Sequence, residues 1–351
     1  MSVTKSPQTA GGSTAPPSLG IRPPGRRAAL RAAGLLGALL LLVVVLALSL
    51  ALGARPLSLG QVWHGLFDSG DVVVHRMRLP RTALGLVVGA ALGLAGGVMQ
   101  ALTRNPLADP GLLGINAGAS AAVVSAISFL GLSSFVGYVW FAFLGAAVVS
   151  VLIYAVGGGR GATPARLALA GAAVNAMLYS YVSAVELLDT ASLDKMRFWT
   201  VGSLAAAQPG TAQRLAPFVV VGALLALALA RPLNALALGD DAARALGARP
   251  ARVRAAAIVA VTLLCGAATA ACGPIVFVGL MVPHLVRSLT GPDLRWQLPY
   301  CALLAPALLL GSDVLGRILA RPSELQVGIV TAVVGGPFFL YFVRRNRAVR
   351  A

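Results

Sequence analysis

Charge is scarce in this sequence. Only 11% of its 351 residues are Asp, Glu, Lys or Arg, against about a quarter in a soluble domain. Acidic residues number 11, histidines three and cysteines three. So little polar surface cannot coat a water-soluble body of this size, which excludes a soluble enzyme and a disordered chain. Cys265, Cys272 and Cys301 cannot all pair, and each sits in an apolar stretch, so a secreted disulfide scaffold is excluded as well. His64, His75 and His284 show no metal-ligand spacing. No GxxxxGK[ST] appears, so the chain has no P-loop for ATP, and neither HExxH nor GxSxG is present. What is there is hydrophobic: 58% of the residues, with a mean hydropathy of +0.85. The reading is an all-α polytopic membrane protein. Long continuous apolar runs specify helices, because barrel strands would alternate.

Residues 1–27 are rich in Pro, Ser, Gly and Thr and read as a disordered tail. The uncharged run Ala32–Ala54 follows. At 1.5 Å per residue it reaches roughly 35 Å, enough for an uncleaved first span. Further spans are expected near 82–102, 112–131, 136–157, 164–187, 213–237, 252–272, 275–289, 297–316 and 326–343, about ten in all. The short 275–289 piece suits a tilted or broken helix inside the bundle. With the N-terminus inside, nineteen of the 28 basic residues fall on the inner side and nine outside. That bias predicts an even number of spans with both termini cytoplasmic. It also accounts for the net charge of +17 without nucleic acid, since the charges are scattered between spans and form no basic face. The domain plan is a cytoplasmic tail, a transmembrane domain over 28–345 and a short C-terminal tail over 346–351.

No Asp or Glu falls in the middle of an expected span. An ion-coupled carrier often needs such a group, so energy for any transport must come from another chain. Gly85, Gly89, Gly93 and Gly97 stripe one face of the second span. Such a stripe lets a neighbouring backbone approach closely, and ordinary packing within the chain is the plainer reading beside a pathway or dimer face. The stripe runs into Met99–Gly111, where Gln100, Asn105-Pro106 and Asp109-Pro110 stop the helix and reverse the chain.

At these residues the sequence resembles the FecCD family of ABC-importer permeases. The matching stretches are Arg78-Leu79-Pro80-Arg81, Gly89–Ala119, Trp199–Leu204, Leu238–Arg254, Gly273–Arg287 and Glu324–Val343. One departure is Gln326, where the family usually shows Pro. The resemblance implies the type II importer permease fold, ten helices per subunit, a dimer, no resident cofactor or metal and no covalent chemistry. It implies as partners cytoplasmic ATPase subunits, an extracytoplasmic substrate-binding protein and a second permease subunit. Its cargo would be a ferric siderophore or similar chelate, with haem and cobalamin as alternatives, carried across the cytoplasmic membrane of a bacterium.

The loop 238–254 reads as a short amphipathic helix: Asp240 as N-cap, Asp241 in the first turn, Arg244 and Leu246 following, Gly247 as the stop. By resemblance it is the lever that sits in a groove of the ATPase; a solvated connector is the plainer alternative. Also by resemblance, Arg78, Arg81 and Arg317 contact acidic residues of the binding protein. The alternatives are anchoring of the second helix for Arg78 and Arg81, and an i,i+4 pair with Asp313 for Arg317. Asn116 and Asn175 are expected to hydrogen-bond between helices. Trp199 suits an interfacial anchor or a gate element. Pro283 is expected to kink or end the eighth span, with His284 structural. The rival functions are a secondary transporter, which would work without ATPase partners, and a purely structural membrane subunit.

Overall fold

The computed structural model describes residues 24–53, 56–68, 70–132, 135–159, 163–205 and 207–348. It is a bundle of helices: α1 Pro24–Ala51, α2 Leu59–Phe67, α3 Leu79–Thr103, α4 Ile115–Leu130, α5 Phe135–Val156, α6 Pro164–Leu188 and α7 Thr190–Trp199. Then follow α8 Thr211–Ala228, α9 Ala230–Ala237, α10 Asp240–Ala245, α11 Pro250–Cys272, α12 Val278–Thr290, α13 Leu294–Leu319 and α14 Val327–Ala348. Among the described residues, seven helical stretches are long and apolar enough to cross a membrane, and Ile115–Leu130 and Val327–Tyr341 are shorter apolar helices. Helices satisfy their own backbone groups, which hydrocarbon demands.

Each expected span lies on one of these helices, with three adjustments. Residues 1–23 lie outside the described residues, and Pro24–Arg27, read as tail, are the first turn of α1. The 213–237 span divides at Leu229 into α8 and α9. The short 275–289 span begins outside any helix, at 275–277, and continues as the 13-residue α12, which runs on through Pro283 to Thr290, so that proline does not end it.

Helices α3 and α11 form the centre, with 78% of their most apolar windows buried, whereas α1 is 17% buried and α6 22%. α3 packs on α13, α11, α12 and α8. The glycine stripe makes this possible. A methyl group on Gly89 would overlap the Pro306 backbone, and one on Gly93 would fall 2.5 Å from the Cys301 carbonyl. Gly85 meets Leu310 and Gly97 meets Leu298. All four face α13, so this stripe packs within the chain.

Candidate functional site

Two polar clusters lie at opposite ends of the central helices. At the first, α3 stops because Arg104 takes the left-handed conformation (φ 52°) and Pro106 cannot continue the helix. The Asn105 amide donates to the Gln100 carbonyl at 3.1 Å, and the Asn105 side chain accepts the Leu107 amide at 3.0 Å. The half-buried Asp109 carboxylate accepts the Gly111 amide at 2.7 Å and caps the turn before α4; desolvation pushes its pKa above the usual carboxylate range. Gln100 ties α3 to α12 by donating to the Leu280 carbonyl at 2.9 Å. Thr269 of α11 donates to Asn116 of α4 at 2.9 Å, and Asn175 of α6 donates to the Gly111 carbonyl at 3.2 Å.

Against this turn lies α10. Its N-cap is Gly239, not Asp240, which is the first helical residue. The reason is that the Asp240 carboxylate is used elsewhere. Arg254 of α11 donates to both of its oxygens, at 2.8 and 2.9 Å, and Arg104 donates to one of them at 2.9 Å. The Arg254 hydrogen bond, with Arg104 adding to it, holds the Asp240 carboxyl below its ordinary pKa. Asp241 pairs with Arg244 at 2.8 Å on the outer face. Ala243 is buried under the helix, Leu246 is 67% exposed beyond it, and Gly247 turns the chain at φ 82°. This charge-tethered helix is thus flanked by two exposed leucines, Leu238 before it and Leu246 after it.

At the other end the three arginines converge, but not as a free surface patch. Arg78 is 6% exposed and donates to the Leu50 carbonyl and, at 2.8 Å, to the Ala51 carbonyl. Arg317 is 3% exposed, pairs with Asp313 at 2.8 Å and donates to the Ser49 and Leu52 carbonyls at 3.1 and 2.9 Å. Both therefore complete the end of α1, whose last carbonyls have no helical acceptor role left. Arg78 and Arg317 are thus bonded within the fold, and with Arg81 they also line one recess. Arg81 donates to both oxygens of Asp313, at 2.8 and 3.1 Å, and to Glu324 at 2.6 Å. The i,i+4 pair foreseen between Arg317 and Asp313 is present; Asp313 as the hub of both arginines was not foreseen. Arg78, Arg81, Arg317 and Glu324 line a recess of about 290 Å³.

Trp199 is buried, and the chain after it is pinned between two helices. The Ser203 amide donates to the Cys272 carbonyl at 2.8 Å, and the Gly328 amide donates to the Gly202 carbonyl at 3.1 Å. Sequence reasoning gave Val201–Leu204 no role. The helix α2 was missed too, although its capping box, Ser58 with Gln61, is written in the sequence. Among the described residues no group of three or more His, Cys, Asp or Glu side chains is placed to hold a metal.

The chain is thus a helical membrane bundle with a tethered helix projecting from one end. Residues 40–345 match the FecCD transport family, and the chain belongs to that family. The ferric enterobactin transport system permease protein FepD of Escherichia coli K12 is 46% identical over 328 residues, covering 92% of this chain and 98% of that one. The Fe(3+)-citrate import system permease protein YfmD of Bacillus subtilis is 39% identical over 331 residues, 93% of this chain and 98% of that one. A solved metal-chelate type ABC transporter in an inward-facing conformation superposes with a TM-score of 0.80 at 30% identity, covering 90% of this chain and 99% of that one. The protein is a permease subunit of an ABC importer with the type II fold, in the bacterial cytoplasmic membrane, and ATP is hydrolysed by separate subunits.

Proposed function

We propose that this chain forms half of the pathway by which a ferric siderophore enters the cell, with a second permease subunit as the other half. The observation that carries the pathway reading is the uncovered face of α6. α1 and α6 are both mostly uncovered, yet they differ in kind. α1 exposes leucines and valines, as a lipid-facing helix does. α6 also exposes large side chains (Leu169, Met177, Tyr179, Tyr181, Leu187 and Leu188), but over 172–184 it sets small ones among them, Ala172, Ala173, Ala176, Ser180, Ser183 and Ala184, and its mean hydropathy is 1.4 against 2.8. Small and hydroxylated side chains favour close helix contact and tolerate water; they gain little from lipid. A second subunit and a wet pathway along α6 fit that face.

The mechanism is alternating access, with no covalent step. A loaded binding protein docks at the recess end, on the side that the charge bias places outside. ATPase subunits grip α10 and Leu246 at the inner end. ATP binding and hydrolysis there act through Asp240 on the ends of α3 and α11, which pack along the centre. Each partner shifts the equilibrium only by its differential affinity for the two states. The identity to permeases named for ferric enterobactin and ferric citrate supports a ferric siderophore as cargo.

The test is uptake of labelled ferric siderophores, haem and cobalamin in a strain lacking this chain. Loss of ferric siderophore uptake alone, restored by the chain together with its ATPase, is the expected result. Loss of haem or cobalamin uptake instead would reassign the cargo. Uptake by the purified chain without any ATPase would reject the importer mechanism.

A further inference from the structure

The recess at the start of α3 holds a carboxylate that pairs with an arginine already gripped by another. Asp313 is fully buried and grips Arg81 through both oxygens, with the Arg81 Nε and Nη2 as donors. Those two bonds fix the guanidinium plane by themselves. The remaining nitrogen, Nη1, donates to Glu324 at 2.6 Å. Glu324 sits on the link between α13 and α14, its side chain 33% exposed, and among the described residues that line the recess it is the one carboxylate. The other charged residues lining it are Arg78, Arg81 and Arg317.

We propose that Glu324 is a built-in stand-in for a carboxylate of the docking protein, which replaces it on Arg81 Nη1 when the two proteins meet. This rests on the docking reading above and adds to it a competitor within the permease. The exposed Arg81–Glu324 pair is held weakly by solvent-screened attraction, whereas the buried Arg81–Asp313 pair is held strongly. An incoming carboxylate therefore exchanges with Glu324 and leaves Asp313 in place. The exchange keeps Arg81 paired at every stage, so no desolvated cation is left alone. It also frees the link that leads into α14, so docking is felt by a helix of the bundle. Without a partner, Glu324 lowers the positive charge of the recess and disfavours stray anions.

The experiment measures affinity of the binding protein for the whole permease–ATPase complex in nanodiscs, at two ionic strengths. Glu324→Gln removes the competitor and is expected to tighten docking at least about threefold, more at low salt. Glu324→Asp, whose shorter side chain reaches Arg81 less well, is expected to tighten it by a smaller factor. Arg81→Glu is expected to abolish docking. If Arg81→Glu docks as well as wild type, the docking reading itself falls. If Arg81→Glu fails to dock while both Glu324 variants bind no more tightly than wild type, or more weakly, the exchange alone is overturned. Failure of both Glu324 variants to assemble also overturns it, since Glu324 would then be a structural residue.

Discussion

The Arg104 guanidinium donates to the Asp240 carboxylate at 2.9 Å across 136 residues of sequence. One residue ends the central helix α3, and the other begins the helix that projects from the bundle. Arg254, with its two bonds to the same carboxylate, ties α11 into the pair. Force applied to α10 therefore has a short path to both central helices.

Asp240→Asn keeps the size of the side chain and removes its charge. Uptake is expected to fall about five- to tenfold, the scale of a lost coupling interaction, while ATPase subunits still copurify. Arg104→Gln, at a more exposed position, is expected to show the smaller loss. Uptake equal to wild type in both variants would remove Asp240 from the coupling path.

Leu246 stands exposed at the tip of α10. Its replacement by Asp puts a charge where an apolar contact with the ATPase is expected. Copurification of the ATPase should be lost, as it should on deletion of Asp240–Gly247. A stable complex with either change contradicts the assignment of α10 as the coupling helix.

Gly89→Val inserts an isopropyl group against the Pro306 backbone. Overpacking costs about 1–3 kcal/mol where side chains are free to adjust, and backbone adjusts less. The melting temperature in detergent should drop, or folded protein should not accumulate. Gly37→Val in α1, where nothing lies within 4 Å, is the control expected to melt as wild type.

Arg317→Met strips Asp313 of one of its two cations and leaves the Ser49 and Leu52 carbonyls without that donor. Breaking a buried pair on one side costs about 3–5 kcal/mol. Thermal denaturation should show the loss directly. A variant that melts normally but fails to bind the docking protein would instead make Arg317 a contact residue.

Asp293 caps α13, accepts from Arg295 and Asn234, and so joins α9 to α13. Its bond from Arg295, with help from Asn234, pulls its pKa down to about 2. A lowered carboxylate pKa gives stability that is fully present above the ordinary value near 4 and lost as the pH falls towards 2. The difference in melting temperature between wild type and Asp293→Asn should be constant above about pH 5 and close between pH 4 and 2. A difference that persists at pH 2 would show that the carboxylate charge is not its source.

The helical bundle was legible in the sequence because transfer of a long apolar run into hydrocarbon is a local property, readable one segment at a time. The stop at Asn105-Pro106 and the glycine stripe were legible for the same reason: each states what a helix can and cannot do at that point. The Asp240 cap was misread because N-capping was judged from neighbours along the chain. The carboxylate answered instead to Arg254 and Arg104, which the fold brings to it. The bonds of Arg78 and Arg317 to the end of α1 were not legible either, since nothing near them in sequence announces those carbonyls.

The chain's order of residues alone determined that this is a membrane-spanning helical protein with no engine of its own, because hydropathy, charge bias and missing motifs are sums over short windows. Only the tertiary structure decided which arginine is spoken for and by whom. Arg81 and Asp313 lie 232 residues apart, and an ion pair is governed by distance in space and burial, neither of which a linear pattern contains.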